Sequence, residues 1–149
     1  MAATATTIRN RIETTIKAIT PTANATQKFH VLSDDPESLE DEAVWSGNER
    51  AFEVWVDEGS EGALHHSAEY ENAQWFDIGV AYPVQSDHRA LDARVASDRH
   101  DIKAALDNPS NWGSDVSHQA LLKWDAPERG DRVWILRLKL LVTFIESST

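Results

Sequence analysis

The stretch Arg132–Glu146, R-V-W-I-L-R-L-K-L-L-V-T-F-I-E, decides how the whole chain is read. At period 2, Trp134, Leu136, Leu138, Leu140, Val142 and Phe144 share one face, while Val133, Ile135, Arg137, Lys139, Leu141, Thr143 and Ile145 share the other. Successive side chains of a strand point to opposite faces, so this describes one fully buried face and one half-solvated or partner-covered face. A helix is excluded, because a 3.6-residue period would scatter Arg137 and Lys139 into an otherwise apolar cylinder. At about 3.3 Å per residue the strand could run to roughly 45 Å, well beyond the usual five or six residues. An ordinary core strand accounts for the buried face. It leaves the length and the apolar residues of the second face to be explained.

Working outward, Val116–Trp124 reads as the strand preceding it, with Pro127-Glu128-Arg129-Gly130 as the turn between them. The two apolar rows predict that Val116, His118, Ala120, Leu122 and Trp124 pair with Val142, Leu140, Leu138, Leu136 and Trp134, leaving Pro127 to Asp131 as the loop. Two more strands alternate in the same way. Residues 50–57 set Ala51 and Trp55 opposite Phe52, Val54 and Val56, and Ala73–Tyr82 sets Phe76, Ile78, Val80 and Tyr82 on one face before Pro83. Phe29–Leu32 is a candidate short strand.

Two helices complete the pattern. Ile8, Ile12, Ile16 and Ile19 form an amphipathic stripe, with Thr6 or Thr7 as the expected cap and Pro21 as the stop. Leu91, Val95, Ile102 and Leu106 form a second stripe, capped by Ser86 or Asp87 and ended by Asn108-Pro109. The expected architecture is one α+β domain over residues 1–149. It has a mainly antiparallel sheet of four to five strands, two amphipathic helices packed on it, and a long C-terminal β-hairpin.

Composition narrows the functional classes. The 149-residue chain holds no cysteine, which excludes disulfides, thiol catalysis and thiolate metal sites within it. Neither a secretory leader nor an apolar run long enough to span a membrane is visible, so the reading is a soluble protein with no membrane partner. The net charge is −11, and it is unevenly placed. From Asp34 to Glu71 thirteen acids face Arg50 alone, giving −12, whereas the remainder sums to +1. Acidic loops are expected at about 33–49 and 58–72. A surface of that sign repels phosphate, which argues against non-specific binding of nucleic acid.

Concentrated chemistry is scarce. His65 and His66 with Glu69 and nearby Glu71 offer a metal-like spacing, but in a Gly- and Glu-rich loop with no second anchor cluster. The Asp34–Glu42 acids lack the spaced pattern of a calcium loop. His88 and His100 read as surface residues of the second helix. With no nucleophile elbow, P-loop or dinucleotide fingerprint in the chain, no catalytic, cofactor-binding or metal-ligating residue is expected. Six tryptophans are more informative: Trp55, Trp75, Trp124 and Trp134 fall on expected strands, where most would be core and one or two could anchor a partner.

Taken over Ile8–Ile19, residues 50–56, Trp75–Tyr82, Leu91–Leu106 and Arg132–Glu146, the order and patterning resemble the tail-terminator proteins of long-tailed bacteriophages. The resemblance covers nearly the whole chain and rests on order, length and patterning. It implies a structural virion protein of the tail or neck, present in the host cytoplasm during assembly. Its subunits would form a homo-hexameric ring on the tail tube, end tube polymerisation and offer a docking surface for head-completion or connector proteins, while DNA passes without specific binding. Arg9, Arg11, Trp134, Arg137 and Lys139 are then the expected subunit or partner contacts. Asp34, Asp35, Glu37, Glu40, Asp41, Glu42, Asp57, Glu58 and Glu61 are the expected lumen or solvent face. Three alternatives stand beside this: another neck-completion protein, a small metal-dependent hydrolase using His65 or His66, and a monomeric module presenting its acids to a basic partner.

Overall fold

The computed structural model describes residues 4–23, 28–31, 50–57, 71–84, 86–112 and 116–145. In chain order they form α1 (Ala5–Lys17), β1 (His30–Val31), β2 (Ala51–Val56), β3 (Glu71–Pro83), α2 (His88–Asp107), β4 (Val116–Trp124), β5 (Glu128–Arg129) and β6 (Val133–Ile145), with a 3-10 turn at Pro109–Asn111. The sheet runs β1-β2-β3-β6-β4, and β5 also pairs with β6. Only β1 and β2 are parallel; every other pair is antiparallel. The fold is α+β, as expected, and the sixth strand is the short β5.

β6 lies between β3 and β4, pairing with β3 from Pro83↔Val133 to Glu71↔Ile145. Its even-numbered row is buried throughout, from Trp134 to Phe144, while Arg137 and Lys139 on the other face are exposed. Both helices cover the even face, α1 against β2 and α2 against β4. Phe52, Val54, Phe76, Ile78, Val80 and Tyr82 complete the core from β2 and β3.

The helix ends follow from local hydrogen bonding. α1 is capped by Thr4, not by Thr6 or Thr7: the Thr4 hydroxyl accepts from the Thr7 N–H at 3.2 Å, and the Thr7 hydroxyl accepts from the Thr4 N–H at 2.8 Å. This reciprocal box satisfies two donors, so the helix starts a turn earlier than its apolar stripe suggests. Asp87 caps α2 by accepting from the Ala90 N–H at 3.0 Å. At the other end the Trp112 indole donates to the Leu106 carbonyl at 2.9 Å, meeting one of the acceptors a helix terminus leaves open.

The β4–β6 register differs from the expected one. Trp124 lies opposite Leu138, and Leu122 opposite Leu140; two irregularities then shift His118 to Thr143 and Val116 to Phe144. The reason is β5, which occupies Trp134 and Ile135 through Arg129 and Glu128 and pushes β4 along its neighbour. Parity survives at the loop end, so Trp124 and Trp134 share the helix-side face as the apolar rows require. The tight β5–β6 return needs Gly130, whose N–H donates to the Val133 carbonyl at 3.0 Å. A Cβ there would stand 2.8 Å from that oxygen.

One polar network lies within the core. Arg50, fully buried, donates through Nε to Asp98 Oδ2 at 2.7 Å, and the Tyr82 hydroxyl donates to the same oxygen at 2.8 Å. Arg50 also donates to the Ala23 carbonyl and lies 5.8 Å from the Phe29 ring. It ties the start of β2 to β3, α2 and the segment after α1. Burial pushes the Asp98 carboxyl upward against the opposing pull of Arg50, and burial also drives the Tyr82 hydroxyl well above its usual range.

Candidate functional site

The face of the sheet opposite the helices carries a charged band. Cross-strand register builds it: Trp55, Asp77, Lys139 and Lys123 lie side by side across β2, β3, β6 and β4, and Glu53, Gly79 and Arg137 form the adjacent row. Directly opposed residues on one face are the interacting unit of a sheet. Lys139 Nζ is 3.5 Å from Asp57 Oδ2 and 3.7 Å from Asp77 Oδ1, while Arg137 pairs with Glu128 of β5. Lys123 sits 5.1 Å from the Trp75 ring. Above the band, Ala51, Ala81 and Ile135 form a small buried apolar patch joined by Val133.

Two carboxylates of the band, Glu53 and Asp77, are partly sheltered from water. Burial raises the Glu53 carboxyl above the usual range, against a hydrogen bond from Trp55 and the charge of Arg137, and Glu53 Oε2 has no hydrogen-bond partner among the described residues. Burial also raises Asp77, with the charge of Asp57 adding to it and Lys139 and Arg137 opposing. Such pairs, half-sheltered and imperfectly satisfied, gain from a partner that completes them.

The expected contact residues do not form one patch. Arg137 and Lys139 are neighbours in the band, 44% and 52% exposed. Arg9 lies on α1, paired with Glu13 at 3.8 Å, with its guanidinium 4.9 Å from the Trp55 ring. Arg11 is also on α1 and half-buried. Trp134 does not fit the expectation of an interface anchor: it is 5% exposed, packed in the core between His88 and Arg129. Its position on the uninterrupted even row of β6 puts it under α2. A shallow cleft of about 500 Å³ lined by His88, Arg89, Asp92, Ala93 and Arg129 reaches its edge.

Among the described residues the exposed large aromatics are instead Trp55 and Trp124, at 37% and 46%. Each carries a helix arginine over its ring, Arg9 for Trp55 and Arg99 at 5.1 Å for Trp124. Position in the strand alternation flagged Trp55, which falls opposite the apolar row of β2. Trp124 gave no such signal, because it belongs to the apolar row and is exposed only because β4 ends the sheet.

Of the expected acidic face, Asp34, Asp35, Glu37, Glu40, Asp41, Glu42, Glu58 and Glu61 lie outside the described residues, as do His65, His66 and Glu69 of the metal alternative. Asp57 departs from that expectation. Its side chain is 18% exposed beside Lys139, and its backbone N–H donates to the Trp75 carbonyl at 3.0 Å, so it belongs to the charged band. Among the described residues no group of three or more potential ligands could hold a metal, and no helix is long and apolar enough to cross a membrane. No protein-family model matches this chain, and neither does any curated protein.

Proposed function

We propose that this protein is a non-enzymatic structural subunit that assembles into a ring, in the manner of a phage tail terminator, capping a tail tube and presenting a docking surface to head-completion proteins. The observation that carries the reading is the charged band across β2, β3, β6 and β4. A long central strand buries one face under two helices and turns Arg137 and Lys139 outward on the other, where three carboxylates meet them. A stand-alone domain gains little from exposed ion pairs of this kind, worth about 0–1 kcal/mol each. Across an interface the same groups give register and partner choice. Identical subunits joined by such heterologous contacts close into a ring when the rotation permits. A second reading, another component of the head–tail neck, uses the same surface and differs only in its partner.

The test is electron microscopy of the purified protein alone and mixed with tail tubes, beside the Arg137→Glu/Lys139→Glu variant. Wild-type protein should form six-membered rings on tube ends, and the variant should fold but leave tubes of uncontrolled length. Normal capping by that variant would put the interface on another surface. Monomeric wild-type protein that neither decorates nor terminates tubes would remove the reading altogether.

A further inference from the structure

We infer that the seam between α2 and the β5–β4 end of the sheet is a docking strip for a short acidic peptide segment of another protein, one that carries an aromatic or large apolar side chain beside its carboxylates. Three contacts place the seam. His88 lies against the Trp134 ring with centroids 5.7 Å apart, Asp92 meets Arg129 of β5 at 2.7 Å, and Arg99 lies 5.1 Å from the Trp124 ring of β4. Spacings of four and seven put these three helix residues along one side of α2. They border the sheet over roughly 16 Å at the rise of an α-helix. That length takes about five residues of extended chain. The seam lies on the helix-covered side of the sheet, away from the charged band, so the inference stands apart from the ring reading.

The two ends of the seam differ in depth. At the start of α2, the cleft of about 500 Å³ has the edge of Trp134 at its floor and His88, Ala93 and Arg129 on its walls, which is room for an apolar side chain. At the other end Trp124 stands 46% exposed on the last residue of β4, the edge of the sheet. Tryptophan and arginine are the residues that dominate interface energetics. An arginine laid on an indole also keeps its outer N–H groups for a carboxylate. Charge selects an acidic occupant. Arg89 is exposed at the cleft and Arg99 is half-buried over Trp124, and neither forms an ion pair among the described residues. Arg129 is held by Asp92, but both side chains are at least half exposed, so a peptide carboxylate can reach the guanidinium. Asp87 is occupied in capping α2 and Glu128 in pairing with Arg137. Three arginines and His88 are therefore set against Asp92 and the exposed Asp125 that follows Trp124. An excess this small suits a peptide with one or two carboxylates, whereas a nucleic-acid backbone draws on many cations at once.

The experiment is fluorescence anisotropy with a labelled synthetic peptide of alternating glutamate and phenylalanine, about six residues long to span the seam. Its glutamine-for-glutamate counterpart and a short oligothymidylate are measured beside it. The proteins are the wild-type chain, Trp124→Ala, Arg89→Glu, Arg99→Glu and, as an equal change of net charge at an exposed position of α1, Lys17→Glu. Far-UV circular dichroism confirms that each variant is folded. Wild-type protein should bind the acidic peptide at least about tenfold more tightly than the glutamine counterpart, as for loss of charge-assisted contacts. Trp124→Ala, Arg89→Glu and Arg99→Glu should each weaken that binding at least about tenfold, and Lys17→Glu should leave it unchanged. The inference is overturned by wild-type protein that does not bind the acidic peptide, or that binds both peptides alike. It is also overturned by seam variants that bind like wild type, or by an equal loss in Lys17→Glu. Oligothymidylate bound as tightly as the acidic peptide would overturn it in favour of a nucleic-acid surface.

Discussion

Arg50→Ala removes the cation from a fully buried ion pair, and the structure sets the size of the effect. Asp98 would keep the Tyr82 hydroxyl on Oδ2 at 2.8 Å, while its Oδ1 already has no hydrogen-bond partner among the described residues. A carboxylate with one donor and no exposure carries a large desolvation penalty, and breaking such pairs costs about 3–5 kcal/mol. Loss of the contact with Phe29 adds at most about 1 kcal/mol. For a domain whose whole stability is about 5–15 kcal/mol, this approaches unfolding. Urea titration followed by tryptophan fluorescence should show the midpoint falling by roughly 2 M for a slope of about 1–3 kcal/mol/M. Asp98→Ala should cost a similar amount, since it takes the carboxylate from a buried guanidinium. Arg50→Met/Asp98→Leu should cost far less than the two singles summed, because an apolar replacement removes both charges. The pH dependence has a definite sign. Burial raises the Asp98 carboxyl, and Arg50 opposes the rise most, ahead of the Tyr82 hydroxyl and the charge of Arg94. Without Arg50 the folded-state pKa climbs further, so the native state binds its proton more tightly than the unfolded chain. The deficit of Arg50→Ala is then full above that raised pKa and narrows as pH falls through it. A single-variant cost below about 1 kcal/mol, or strict additivity in the double variant, would refute this account of the core.

Ile12→Ala and Ile102→Ala, both at fully buried positions of the helix stripes, should each cost about 2–5 kcal/mol by urea titration. Thr4→Ala should cost about 1 kcal/mol by breaking the reciprocal cap, while Thr6→Ala should stay within about 0.5 kcal/mol, which thermal unfolding can distinguish. Glu53 and Asp77 have carboxyls raised by burial, so their contribution to stability falls as pH rises above the ordinary carboxylate range through their folded values. Glu53→Gln and Asp77→Asn should each flatten the measured stability–pH curve over that interval. An unchanged curve would mean that the band is more open to water than its geometry indicates.

Period alone carries most of the architecture. The even row of β6, the alternation in β2 and β3, and the two helix stripes all stand in the structure as the residue types require, because burial selects apolar side chains wherever one face is covered. What periodicity missed depends on groups that break it. Asp98 fills the gap between Val95 and Ile102, on the buried face of α2, and a charge there signals a buried partner only once Arg50 is known to arrive from β2. The Thr4 cap escaped because threonine does the job usually given to glutamate in a capping box. The β4 register escaped because Glu128 and Arg129 read as turn residues yet make a strand of their own. Exposed aromatics were the hardest to read. A core tryptophan and an edge tryptophan look alike in a row of apolar residues, and only strand order tells Trp134 from Trp124.

The placement of β6 also governs how the chain can fold. It follows every other described element in sequence, yet it sits between β3 and β4 and pairs with both. During synthesis α1, β1, β2, β3 and α2 emerge before their central neighbour exists. β3 then holds thirteen residues of unpaired edge facing the place β6 will fill. Sheet completion must wait for a strand whose partner in β3 lies dozens of residues upstream, as Glu71 pairing with Ile145 makes plain. Closing such distant contacts is slow, and an edge left waiting invites association with other nascent chains. Folding should therefore be late and nearly all at once, with little of the sheet formed until β6 is made.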